Sequence, residues 1–136
     1  MLRTIIPALA LVFALPLSAQ AASLKDFELN KTLLKVAEKS NDGTPRAINP
    51  DLLDKGFTVD GTVLINNLET SPTLAAQMRS NPEETVQKLG KSVCSNDGFR
   101  TLMQQGATLR YSFREYKVNT SVLVQDFQAS NCQRKK

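Results

Sequence analysis

Histidine is absent from this chain, and so is tryptophan. The first absence removes the commonest general base together with the commonest metal ligand, and with them serine–histidine and cysteine–histidine catalysis. The second takes away the largest aromatic platform for stacking a sugar. Cysteine occurs only at Cys94 and Cys132, without Cys-x-x-Cys spacing, so neither a dithiol redox motif nor a structural zinc site is written into the chain. The few glycines never gather into a phosphate-cradling loop. Metal would have to be held by carboxylates alone, and Asp51, Asp54 and Asp60 lack calcium-loop spacing. Glu83 and Glu84 are adjacent, but neighbouring helical side chains point about 100° apart, and their place in a first turn suits the helix dipole better than glycoside hydrolysis. Serine–lysine neighbours, Ser92 with Lys91 and Ser23 with Lys25, have no supporting pattern. No catalytic residue, metal or cofactor is assigned.

What is present starts at the N-terminus. Met1-Leu2-Arg3 is a positive start, Ile5 to Leu17 is an almost unbroken apolar run, and Ala19-Gln20-Ala21 is a small-x-small cleavage site. Together these predict a secretory signal peptide over residues 1–21, cut between Ala21 and Ala22. The apolar run falls short of the roughly twenty residues that span a bilayer, and no later stretch approaches it. The expected mature protein is secreted or periplasmic, with no integral membrane segment after cleavage. Residues 22–136 are of single-domain size. In an oxidising compartment Cys94 and Cys132 are expected to pair, a long loop closure contributing about 4 kcal/mol at most. The formal net charge of +4 becomes +3 when Arg3 leaves. Acids and bases are interspersed except in Arg134-Lys135-Lys136, read as a short, solvated basic tail.

Ser23-Leu24-Lys25-Asp26 has capping-box spacing, and Leu29, Leu33 and Val36 then recur at helical intervals until Asn41-Asp42-Gly43. Thr44 to Asp54, interrupted by Pro45 and Pro50, reads as an irregular connection with a turn at Asn49-Pro50-Asp51-Leu52. Phe57-Thr58-Val59 and Thr62-Val63-Leu64-Ile65 flank Asp60-Gly61, the residue pair of a type I′ hairpin; a single strand bulged at Gly61 is the alternative. Ser71-Pro72 and Asn81-Pro82 predict two helix starts, the second helix running into Cys94. A short helix fits Asp97 to Gln105, stopped by Gly106. Leu109, Tyr111 and Phe113 alternate with polar residues as in a half-buried strand, and a loop at Lys117 to Asn119 leads to a second strand, Val122 to Phe127. This order predicts an α+β domain: a small antiparallel sheet of about three to four strands packed on three to four helices, with one disulfide. Arg110, Arg114, Tyr116 and Lys117 near the last hairpin form the candidate interaction surface, too sparsely charged for nucleic acid.

The run Val93-Cys94-Ser95-Asn96-Asp97, then Leu102, Gly106-Ala107-Thr108-Leu109-Arg110-Tyr111-Ser112-Phe113 and finally Cys132, resembles a family of small secreted pseudomonad proteins described as quorum-sensing-regulated virulence factors. The resemblance implies an α+β domain, secretion and a link to virulence, and brings no catalytic residues with it. The functional expectation is a secreted or periplasmic, non-enzymatic interaction protein that binds a host or bacterial protein partner. Two alternatives stay open: an envelope-acting hydrolase using carboxylates or a serine–lysine pair, and a chaperone-like carrier of peptides or lipids.

Overall fold

The computed structural model describes residues 17–133, with side chains from Leu24 onward. Most of the expected signal peptide, residues 1–16, and the basic tail, residues 134–136, lie outside the described residues. The first helix, α1, spans Leu17–Ser40. It runs through Ser23 instead of starting there, because Leu17 to Ala22 contains no glycine or proline and is rich in alanine, the best helix former. Ala21 and Ala22 therefore both lie inside α1. The helix ends where its sequence predicts, with Gly43 at φ +83 and the Asn41 amide closing on the Ala37 carbonyl at 2.9 Å.

Five strands follow in the spatial order β1-β2-β3-β4-β5: Arg46–Asn49, Leu52–Asp60, Val63–Thr70, Thr108–Glu115 and Ser121–Phe127. The expected sheet of three to four antiparallel strands is corrected in number and in direction. β3 and β4 pair in parallel, Val63 opposite Thr108 through Thr70 opposite Glu115. Between them the chain makes three helices, α2 (Pro72–Ser80), α3 (Pro82–Ser95) and α4 (Asp97–Gln104), and this long crossover returns it to the starting end of β3. The class is α+β with a mixed sheet.

The connection expected over Thr44 to Asp54 also proves to be strand. β1 is an edge strand between Pro45 and Pro50, a position where missing backbone donors cost little. The turn into β2 falls where predicted and is fixed by the Asp51 amide donating to Asn49 Oδ1 at 2.8 Å. At the next hairpin Asp60 pairs with Val63, which leaves Gly61 and Thr62 as the loop. Only Gly61 of the two has positive φ, +62, the glycine-first pattern of a II′ turn and not I′. The bulge sits elsewhere in β2, between Asp54 and Gly56.

All four helices cover one face of the sheet. Leu29 and Leu33 of α1, Val93 of α3, and Leu102 and Met103 of α4 meet Leu64, Leu109 and Phe127 in the main core. Met78 of α2 meets Leu68 and Phe113 in a second cluster. Ser71 caps α2 by accepting from the Leu74 amide at 3.1 Å, whereas Asn81 gives α3 no side-chain cap and instead approaches Glu84 at 3.4 Å. The opposite face is wet and self-paired across strands, with Lys55–Glu69 at 3.4 Å and Asn67–Thr58 at 3.1 Å.

Candidate functional site

A cleft of about 750 Å³ opens where α3, α4 and a 3₁₀ turn at Ala129–Cys132 come together. Asn96 makes the corner between the two helices. Its amide donates to the Val93 carbonyl at 3.1 Å while its Oδ1 accepts from the Phe99 amide at 3.0 Å, so one residue ends α3 and starts α4. Val93, fully buried, and Leu102 and Met103 anchor the two helices below that corner. The third wall is held by Gln128, whose amide donates to Asn131 Oδ1 at 2.6 Å and whose Nε2 reaches Thr108 Oγ1 at 3.2 Å. The Cys94–Cys132 disulfide ties this wall to α3, with Cα atoms 5.3 Å apart, inside the 4.4–6.8 Å range of an ordinary bridge.

Burial sorts the lining into two chemistries. Met103 is buried and Ala129, Cys94 and Cys132 are half-buried, so a thioether, a methyl group and the disulfide form an apolar floor. Lys91, Ser95, Arg100, Gln104 and Gln133 are exposed and make the rim. Among the described residues no carboxylate lines the cleft, and neither Lys91 nor Arg100 forms a salt bridge. Ser95 and Lys91 lie one helical turn apart, but the Ser95 hydroxyl donates to the Lys91 backbone carbonyl at 2.7 Å and the lysine side chain is solvated. A serine–lysine nucleophile needs that hydroxyl on a desolvated amine, which is not this arrangement. Among the described residues no group of three or more acids or cysteines is placed to hold a metal ion.

The residues named from sequence fall on the β4–β5 hairpin and not on this cleft. Arg110 lies on the open sheet face in a bidentate pair with Asp126, 2.8 and 3.0 Å. That hydrogen bonding holds the Asp126 carboxyl below its ordinary range and raises the Arg110 guanidinium. Arg114, roughly 13 Å along the strand, donates to Asn119 Oδ1 at 2.8 Å and to the Asn119 carbonyl. Tyr116 is exposed beside a crevice of about 300 Å³ formed by the β1–β2 turn and Ser71-Pro72. Lys117 is exposed with φ +72 in the hairpin loop. The structure thus keeps Arg114, Tyr116 and Lys117 together and sets Arg110 apart. Arg100 and Gln104 had no sequence signal of their own, and Lys91 stood out in the sequence only as a neighbour of Ser92.

A small disulfide-braced α+β domain carrying an open, cation-rimmed cleft is the class that fold and site define. The chain belongs to the family described as "putative quorum-sensing-regulated virulence factor", whose model matches residues 22–133. Its structure is similar to that of a "putative secreted protein" of Pseudomonas aeruginosa, with 55% identity and a TM-score of 0.80 over 81% of this chain and 97% of that one. It also shares its fold with the pilotin EpsS of the Vibrio vulnificus type 2 secretion system, at 14% identity and a TM-score of 0.71 over 83% of this chain and 99% of that one. The Vibrio cholerae type II secretion pilotin AspS is similar at 18% identity and a TM-score of 0.66, over 82% and 99%. No curated protein matches the chain. The protein is secreted or periplasmic. Among the described residues no helix is long and apolar enough to cross a membrane.

Proposed function

We propose that this is a non-enzymatic exported protein that works by binding a protein partner, host or bacterial, after losing residues 1–21. The observation that carries the reading is the cleft itself: cations and glutamines over an apolar floor, with no carboxylate in its lining and a serine hydroxyl directed into the helix backbone. Such a lining recognises and does not turn over. It counts against the hydrolase alternative, for which an acid pair or an activated serine is required. Two proteins of the same fold are named as secretion-system pilotins, and a role in assembly, not turnover, is in keeping with that. The family match starting at residue 22 supports cleavage after Ala21, which the intact mass of the exported protein checks. The hairpin end, with Tyr116 and Val118 more than half exposed beside Arg114 and Lys117, is a second candidate contact.

Photocrosslinking in the exporting cell tests the reading. With a photoreactive residue at Gln104 in one variant and at Tyr116 in another, discrete protein adducts are expected from at least one. A clean absence of adducts from both, with the protein folded and exported, refutes it.

A further inference from the structure

The charge of the cleft narrows the partner's chemistry. We propose that it takes an acidic peptide segment of the partner protein, with an apolar side chain seated on Met103, Ala129 and the disulfide and flanking carboxylates against Lys91 and Arg100; this rests on the binding reading given above. Three features converge on that occupant. Lys91 comes from α3 and Arg100 from α4, so the two cations stand on different walls over one apolar floor. Neither forms a salt bridge among the described residues, a state they share with Lys25, Lys31, Lys35, Lys39, Arg114 and Lys117; what sets them apart is that both line one cleft whose described lining holds no acid. Among the described residues no acid lines this basic rim, which leaves room for complementary charge from a partner.

Size and openness favour a peptide over a small anion. A space of about 750 Å³ with every charged or amide rim residue exposed is an open trough, and enclosed small-molecule sites bury most of their ligand. Arg100 offers a planar fork that matches a carboxylate, and Gln104 lies one turn further along α4 to pair with a peptide backbone.

The test is an NMR titration of the ¹⁵N-labelled mature protein with a capped peptide, Gly-Glu-Leu-Asp-Phe-Glu-Gly, against a counterpart carrying lysine at the three acidic positions. Saturable shifts are expected for amides of residues 91–95, 100–104 and 129–133 with the acidic peptide only. They should weaken several-fold between about 50 and 500 mM salt, as exposed charge pairs do. Lys91→Glu with Arg100→Glu should lower the affinity about ten-fold, two lost contacts each worth a factor of a few, while Lys25→Glu, on the exposed face of α1, leaves it unchanged. Both sites are exposed, and an unchanged melting temperature confirms that the folds are equal. Equal binding of the lysine peptide, shifts centred on Tyr116 and Lys117, no binding at about millimolar peptide, or binding to phosphatidylglycerol vesicles in place of the peptide each overturn the inference. If the photocrosslinked adducts persist unaltered in the Lys91→Glu/Arg100→Glu variant, the acidic-peptide inference falls and the binding reading stands. If no adduct forms from either position, the binding reading itself falls.

Discussion

Replacing Gly56 with alanine should destabilise the protein far more than a surface methyl would. Gly56 sits at the β2 bulge with φ +103, a conformation that costs alanine about 1–2 kcal/mol. The new Cβ would also lie 2.6 Å from Asn41 Oδ1 and 3.1 Å from Thr44 Oγ1. Asn41 is not free to yield. From the residue after α1 it grips Phe57 in both directions, its Nδ2 donating to the carbonyl at 2.9 Å while its Oδ1 accepts from the amide. Displacing it forfeits two hydrogen bonds at about 0.5–1.5 kcal/mol each, so the total loss is about 2–5 kcal/mol. Urea unfolding followed by circular dichroism would read this as a midpoint shift of about 1 M or more, given slopes of about 1–3 kcal/mol/M. The mechanism is checked by repeating Gly56→Ala in an Asn41→Ala background. There the collision with Oδ1 is gone, and the backbone cost of about 1–2 kcal/mol should remain with only the milder contact to Thr44 Oγ1 beside it. An undiminished loss in that background, or a loss below about 0.5 kcal/mol in the native one, would refute the argument.

Removing the bridge with Cys94→Ser and Cys132→Ser should cost about 2–5 kcal/mol, seen as a lower urea midpoint that no longer responds to reductant. Thr70 Oγ1 is buried and finds no hydrogen-bond partner among the described residues, so Thr70→Val, which keeps the shape and drops the hydroxyl, should raise stability by about 1 kcal/mol; a loss of that size on thermal melting would mean the hydroxyl has a partner. Burial, and next the charge of Asp54, push the Tyr111 phenol above its ordinary value. Because the neutral form is favoured in the folded state, its contribution is intact below about pH 10 and is lost as pH rises through the higher folded value. Ultraviolet titration of phenolate absorbance in the native protein should therefore show a phenol ionising above the ordinary range that is missing from Tyr111→Phe, and that variant should also flatten the alkaline fall in stability.

Helices were the legible part of this chain. Proline at the first position of α2 and α3, glycine after α4 and the periodic face of α1 are local signals, and they place those elements to within a few residues except at the start of α1. Strands were half legible, for a physical reason visible at Asn66. An asparagine after Ile65 reads as the end of a strand, yet Asn66 is buried in mid-β3 because its Nδ2 donates to Asp54 Oδ1 at 3.0 Å, and Asp54 in turn accepts from the Gly56 amide at 2.9 Å. A polar pair thus occupies core positions, hiding β3 beyond Ile65 and the first part of β2 together. The parallel pairing of β3 with β4 depends on where three helices return the chain, which no local pattern records. The disulfide could be read from two cysteines in an exported chain. The cleft could not, since Lys91, Arg100 and Ala129 belong to three elements and resemble any solvated surface until the corner at Asn96 brings them together.

The margins of the sheet bear on whether one copy of the protein can add to another. β5 is β-prone, carries a single charge at Asp126 and has one side unpaired by any strand, which describes a seed for fibrous growth. That growth is obstructed along its length. Val122 is skipped where the pairing shifts, Arg79 reaches across to the Ser121 carbonyl at 3.4 Å, and Gln125 occupies the Asp126 carbonyl at 3.1 Å. The far margin, β1, is four residues long and closed at both ends by proline. A further copy arriving at either side meets an interrupted ladder, an arrangement that opposes extension of the sheet from molecule to molecule.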